Sequence, residues 1–114
     1  MKVLIVDDSE PMRRTIKTFI SDLVGEIFEC GDGNEALAAY RRHRPDFVFM
    51  DLKMAKMDGL AATRQIKEFY PEARIIMVSQ WEDARLREAA RLAGVEAYVG
   101  KSDLLPLHQI LADE

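Results

Sequence analysis

One cysteine, Cys30, leaves no internal disulfide and no thiol-bound metal cluster to consider. It ends a short apolar segment, where a small buried hydrophobe fits better than a reactive thiol. Histidine is almost as scarce. His43 and His108 fall on polar or terminal helix surfaces with no partner at ligand spacing, and read as solvated side chains. Long hydrophobic runs are missing as well. The opening Met1-Lys2-Val3-Leu4-Ile5-Val6 breaks at Asp7-Asp8, too short for a secretory core or a membrane span. There is no excess of positive charge. A net charge of −4 excludes general attraction to nucleic acid or an anionic membrane surface. No repeat, low-complexity tract or linker interrupts the chain. A reducing, cytoplasmic location is the resulting expectation.

What the chain does contain is 48% hydrophobic and 32% charged residues over 114 positions, enough for one ordinary core, so residues 1–114 are expected to form a single domain. Short apolar runs cover Lys2–Val6, Glu26–Cys30, Asp46–Met50, Ala73–Val78 and Glu96–Val99. Amphipathic stretches separate them. Met12, Ile16, Phe19, Ile20 and Leu23 recur at helical spacing, with Ser9 as N-cap, Pro11 in the first turn and Gly25 at the end. A second helix starts near Asp32-Gly33, carries Ala36, Leu37 and Tyr40, and closes before Pro45. A third runs from Asp58 to about Tyr70. The fourth spans Glu82 to Ala93 and ends at Gly94. The last carries Leu104, Leu107, Ile110 and Leu111, capped by Ser102 or Asp103. Such regular βα alternation predicts an α/β fold, a doubly wound (βα)5 flavodoxin-like domain whose parallel sheet has the order 2-1-3-4-5.

Phe47-Val48-Phe49-Met50-Asp51 is the stretch that assigns chemistry. Four consecutive apolar residues predict a strand buried on both faces, and it runs directly into an acid. A buried charge without partners is costly, and in open α/β sheets the carboxyl ends of the strands face the ligand crevice. A cap is the competing reading of Asp51, but Asp58-Gly59 opens the next helix and fills that role better. The proposed order sets strands 1 and 3 side by side, bringing Asp7-Asp8 to Asp51. Converging carboxylates repel unless a cation or proton intervenes, and an open all-oxygen site suits Mg2+. Strand 4 ends in Val78-Ser79 and strand 5 in Val99-Gly100-Lys101, adding a hydroxyl and an ammonium to the same rim. Each is weak alone. Together they are specific.

Those segments resemble the receiver domain of two-component response regulators over essentially the whole chain. The matching text is Val-Asp7-Asp8-Ser, Met-Asp51-Leu-Lys-Met-Ala-Lys-Met-Asp58-Gly59, Val-Ser79-Gln and Ala93-Gly94-Val-Glu-Ala-Tyr98-Val-Gly-Lys101. The resemblance implies that Asp51 accepts a phosphoryl group from a histidine kinase or phosphotransfer protein. It implies that Asp8, Asp51 and the Lys53 backbone carbonyl hold Mg2+ (or Mn2+ in its place), with Asp7 acting through water. Ser79 and Lys101 would meet the phosphoryl oxygens, and Tyr98 would change rotamer on activation. Met12, Arg13 and Ile16, with the loop Ser102–Leu104, would dock the kinase. A carboxylate can attack phosphorus, and a nearby cation stabilises the transfer, so the chemistry agrees.

Two residues depart from the family pattern. Ala55 stands where most receivers have proline, removing a stiffener worth about 0.4–1 kcal/mol. Ser102 follows the strand-5 lysine where many have a cis proline. A cis non-proline bond costs roughly 2.5–4 kcal/mol, so Lys101–Ser102 is expected to be trans or strained. A non-proline residue here resembles receivers that precede a helix-turn-helix output domain. The chain is thus read either as a stand-alone receiver or as the N-terminal part of a longer, DNA-binding regulator, monomeric or dimerising on phosphorylation. It is not expected to bind nucleic acid itself or to act as an enzyme beyond its own phosphotransfer and slow dephosphorylation.

Alternatives fit less well. Gly31-Asp32-Gly33-Asn34-Glu35-Ala36 matches a dinucleotide fingerprint in letters, but it follows the edge strand, away from the acids, and reads as a helix-opening turn. A haloacid-dehalogenase-like phosphatase needs a second acid where Lys53 stands. A degenerate receiver that only binds partners would not need the full acid, hydroxyl and lysine set. Arg85, Arg87 and Arg91 read as a solvated helix face. Trp81 reads equally well as a lid beside the site or as a partly buried anchor.

Overall fold

The computed structural model describes residues 1–114. Five parallel strands form one sheet in the order β2-β1-β3-β4-β5, as expected. They are β1 (Lys2–Val6), β2 (Glu26–Cys30), β3 (Phe47–Asp51), β4 (Ile75–Ser79) and β5 (Ala97–Gly100), alternating with α1 (Glu10–Ile20), α2 (Ala36–His43), α3 (Gly59–Phe69), α4 (Ala84–Ala93) and α5 (Leu105–Ala112). No helix is long and apolar enough to cross a membrane.

Period-two alternation divides the core into two layers. Leu4, Val6, Val48, Met50, Ile75 and Met77 face one side, with Ala36 and Tyr40 of α2, Ala62 and Ile66 of α3, and Ala90 of α4. Val3, Ile5, Phe47, Phe49, Ile76 and Val78 face the other, with Ile16 and Ile20 of α1 and Leu107 and Leu111 of α5. Because β3 lies at the centre, all five of its residues are buried, Asp51 included.

Side-chain caps set most helix starts. Ser9 accepts the Met12 N–H at 3.2 Å, Asp58 the Ala61 N–H at 2.8 Å, and Asp83 the Arg85 N–H at 2.6 Å. The last of these delays α4 from the expected Glu82 to Ala84. Helix α5 differs more. Neither Ser102 nor Asp103 is its N-cap residue; Leu104 is, and the Asp103 carboxylate accepts the Leu105 N–H at 3.2 Å. Pro106 lies in that first turn and leaves one fewer N–H to satisfy.

Helix α1 stops at Ile20, short of the expected end at Gly25. Leu23 reaches the core from the following turn, where its N–H bonds the Ile20 carbonyl, and Phe19 is largely exposed. Gly25 is spent on the sheet's lower edge, donating to the Met1 carbonyl. Gly94 does close α4 as read, at φ 112°. The Lys101–Ser102 bond is trans, since the chain has no cis peptide. The two histidines are less solvated than their sequence surroundings suggest. His43 stacks on Phe28 at 3.8 Å between ring centres, and His108 pairs with Asp22 at 2.9 Å.

Candidate functional site

Register places the acids. Val6 pairs with Met50 and Asp51 with Val78, so the residues just past β1 stand level with the end of β3. Asp7, Asp8 and Asp51 can each offer an oxygen within 4.8 Å of the others. Asp7 and Asp51 are buried, whereas Asp8 faces solvent. Ser79 pairs with Gly100, and the Lys101 N–H bonds the Ser79 carbonyl, carrying the lysine to the same end. Its ammonium lies 2.9 Å from Asp51 Oδ1 and 2.9 Å from Asp7 Oδ2. The Asp7 oxygen is nonetheless outside hydrogen-bonding alignment and has no hydrogen-bond partner although buried. The other Asp7 oxygen, Oδ1, accepts the Ser9 N–H at 2.8 Å.

Burial pushes the Asp51 carboxyl up to about 6. Lys101 opposes that shift and the neighbouring Asp7 and Asp8 charges reinforce it. Burial also works against the Lys101 ammonium, but Asp51 and Asp7 outweigh it and hold the lysine above its usual range. Three carboxylates in reach of one another, with Lys101 as the one cation paired to two of them, make an all-oxygen donor set that fits a hard divalent cation such as Mg2+.

Above them opens a crevice of about 320 Å³ lined by Asp8, Ser9, Met12, Asp51, Lys53, Gln80, Trp81 and Lys101. Of the residues expected at the site, Asp8, Asp51, Lys53, Lys101 and Met12 meet there. Asp7 lies beneath. Ser79 is fully buried at the end of β4 and does not line the crevice; its Oγ accepts the Trp81 N–H at 2.9 Å. Trp81 is half exposed at the rim of the crevice. Tyr98 stands outside the crevice. Its hydroxyl donates to the Trp81 carbonyl, and Arg87, paired with Glu82 at 3.2 Å, lies 4.8 Å from the Tyr98 ring centre.

The docking set needs correction. Ile16 is 1% exposed and packs in the layer shared with α5, so it cannot present itself to a partner. Arg13 bonds the Asp7 carbonyl at 2.6 Å and Glu29 at 2.9 Å, contacts that a docking partner would have to share or displace. Met12 and the exposed Ser102 remain available. Cys30 is buried and its thiol is pushed up to about 11, mainly by burial, in keeping with a packing role.

Ser9, Gln80 and Asp32 were not legible as site residues in the sequence. Asp32 is buried in the turn after β2 and binds the loop that leaves Asp51, accepting the Lys56 N–H at 2.9 Å and the Met57 N–H at 3.0 Å. Beside it, a Cβ on Gly33 would overlap the Met57 carbonyl oxygen. The glycine of the apparent dinucleotide motif thus lets two loops touch.

Known proteins place this geometry. Residues 3–112 match the response regulator receiver domain family. The chain is 38% identical over 101 residues to the chemotaxis protein CheY of Halobacterium salinarum, covering 88% of this chain and 83% of that protein. It is 36% identical over 104 residues to the response regulator protein VraR of Staphylococcus aureus, covering 90% of this chain but only half of VraR. Among solved structures, a chain of the CheX-CheY-BeF3-Mg2+ complex from Borrelia burgdorferi superposes with a TM-score of 0.88 at 28% identity, over 99% of this chain and 88% of that one. A LuxR-family two-component response regulator from Aurantimonas gives 0.86 at 29% identity, over 99% and 86%. With the fold, the acid cluster and the family match in agreement, this chain belongs to the receiver domains of the response regulators of two-component systems.

Proposed function

We propose that Asp51 is the phosphoacceptor of this receiver. The observation that carries the reading is the buried Asp51 carboxylate at the end of β3, held 2.9 Å from Lys101 and open to the crevice. An Asp51 oxygen forms the new O–P bond as the P–N bond of a kinase phosphohistidine, or the P–O bond of a small acyl phosphate, breaks and its electron pair leaves with the donor. With its carboxyl at about 6, Asp51 is mostly ionised at neutral pH and available as a nucleophile. Lys101, 2.9 Å from Asp51, would neutralise the incoming phosphoryl oxygens.

Asp8, Asp51 and the Lys53 backbone are the residues that would hold Mg2+, with Asp7 behind them through water. Bound there, Mg2+ would supply charge neutralisation for the transferring group. The Borrelia complex contains BeF3 and Mg2+ on a similar fold, which supports the same pair here. The Ser79 oxygen accepts the Trp81 N–H and keeps its own proton to donate to a phosphoryl oxygen; a shift of Ser79 toward the crevice would pull on Trp81, whose carbonyl is bonded to Tyr98. Phosphorylation is therefore read as a population shift between two packings of β4, α4 and Tyr98.

Residues 1–114 act in this reading as one receiver unit in the cytoplasm, phosphorylated by a sensor kinase or phosphotransfer protein through Met12 and Ser102. The relatives cover both a chemotaxis protein of comparable length and a regulator about twice as long, so the output is either a partner protein or an attached DNA-binding domain. Incubation with a small acyl phosphate and Mg2+ tests the assignment. Stable labelling of the wild type and none of Asp51→Asn supports it. Label that turns over rapidly favours a phosphatase, and no label favours a module that only binds partners.

A further inference from the structure

The loop from Leu52 to Asp58 connects the phosphoacceptor strand to α3, and most of what restrains it lies outside it. Its ends are joined by the Gly59 N–H, which donates to the Leu52 carbonyl at 2.8 Å; Gly59 also lies so close to the Asp51 backbone that a Cβ would overlap it. Its far side is held by Asp32. Oδ2 accepts from Lys56 at 2.9 Å, while Oδ1 accepts from Met57 at 3.0 Å and from Asn34 at 3.1 Å within its own turn. Hydrogen bonds to an ionised acceptor are the stronger class, and this acceptor is only 8% exposed. Burial opposes the charge, yet the Lys56, Asn34 and Met57 amides hold the carboxyl below the usual range.

Between those ties only Lys53, Met54 and Ala55 lack an anchor to the neighbouring turn. Lys53 lines the crevice, and Ala55 brings none of the φ restriction that proline would impose. Met54 packs against the core on one side of this stretch, and the polar ties of Lys56 and Met57 bound the other.

We infer that Asp32 is a positioning residue for the acidic centre: by gripping Lys56 and Met57 from the β2 turn, it holds the Lys53 backbone at the crevice where Mg2+ and the phosphoryl group are proposed to bind. The inference rests on the phosphoacceptor reading. Asp32 touches neither the ion nor Asp51; it acts through the loop. Gly33 completes the device, because only a residue without Cβ lets the Met57 carbonyl approach the turn.

The test uses the full chain as wild type, Asp32→Ala, Asp32→Asn and Gly33→Ala. Mg2+ affinity is read from Trp81 fluorescence, labelling by a small acyl phosphate is timed at limiting and saturating Mg2+, and amide exchange is followed at Lys56 and Met57. Removing an outer partner of a metal site costs on the order of 10-fold in affinity, and that is the loss expected for Asp32→Ala. Labelling should slow at limiting Mg2+ and recover at saturation, a split that general destabilisation would not produce. Asp32→Asn keeps an oxygen for Met57 and Asn34 and should fall between wild type and alanine. Gly33→Ala should weaken Mg2+ binding with Asp32 intact. Faster exchange at Lys56 and Met57 with unchanged Mg2+ affinity would overturn the inference, as would a labelling loss that saturation fails to rescue. If Asp32→Ala does not fold, Asp32→Asn decides by the same criteria. A wild type that binds Mg2+ but never labels would instead defeat the phosphoacceptor reading, leaving the affinity comparison to judge Asp32.

Discussion

Asparagine at position 51 removes the charge that this fold disfavours. The Asp51 carboxyl moves from an ordinary 3.8 to about 6, first through burial, against the pull of Lys101, and with help from Asp7 and Asp8. That gap corresponds to roughly 3 kcal/mol of folding free energy once both states are ionised. The sign follows from proton counts. Below 3.8 the carboxyl is protonated folded and unfolded alike, and the two proteins should be equally stable. Between 3.8 and about 6 the native state keeps a proton that the unfolded chain has released, so the relative stability of the wild type falls as pH rises. Above that window the full cost is present. Lys101 still has Asp7 beside it in the variant, so no buried ammonium is orphaned. Asp51→Asn should therefore be about 2–3 kcal/mol more stable at neutral pH, with the gain vanishing near pH 4. Urea unfolding followed by far-UV circular dichroism from about pH 4 to about pH 7.5 measures it. Mg2+ should narrow the gap by stabilising only the wild type. A variant no more stable than wild type at neutral pH, or a gain that ignores pH, would refute the reasoning.

Asp8→Ala should weaken Mg2+ binding strongly, while Asp58→Ala should leave it intact and cost about 1 kcal/mol of stability as a lost cap, both read from titration and urea melts. Ser79→Ala should still accept phosphoryl, more slowly, but lose the coupled amide-shift changes across Leu86–Tyr98 that a beryllofluoride mimic induces in wild type. Wild-type-sized shifts in that variant would remove the hydroxyl from the switch. Ile16→Ala should destabilise by roughly 2–5 kcal/mol as a core truncation, whereas Met12→Ala should slow transfer from the kinase and spare labelling by a small donor. Equal loss by both routes in Met12→Ala would place its effect on the site itself.

The central strand was readable because four apolar residues followed by an acid have few structural meanings, and the register of parallel strands does the rest. Helix ends were less readable. Leu23 keeps helical spacing with Ile16 and Ile20 yet packs from a turn, so periodicity alone extends α1 too far. Ile16 shows the reverse: its spacing already marked a core position, and only the analogy with docking helices drew it outward. Asp32 could not be found from the sequence, since its partners are backbone amides 24 and 25 residues away and carry no side-chain signature. The same holds for His108, whose partner Asp22 is 86 residues distant. Contacts of this kind are specified by the finished fold, after the local pattern has been used up.

Reductive mapping of the acyl phosphate tests the phosphoacceptor assignment most directly. The wild type is labelled with a small acyl phosphate and Mg2+, treated with borohydride to convert a phosphorylated aspartate to homoserine, digested, and read by fragment mass spectrometry. Asp51 and Asp46 fall in the same tryptic peptide, ending at Lys53, so fragmentation must separate them. Homoserine at Asp51 alone, lost when Mg2+ is chelated, is the expected result. Conversion at Asp46, Asp7 or Asp8 instead, or none at any carboxylate, would contradict it.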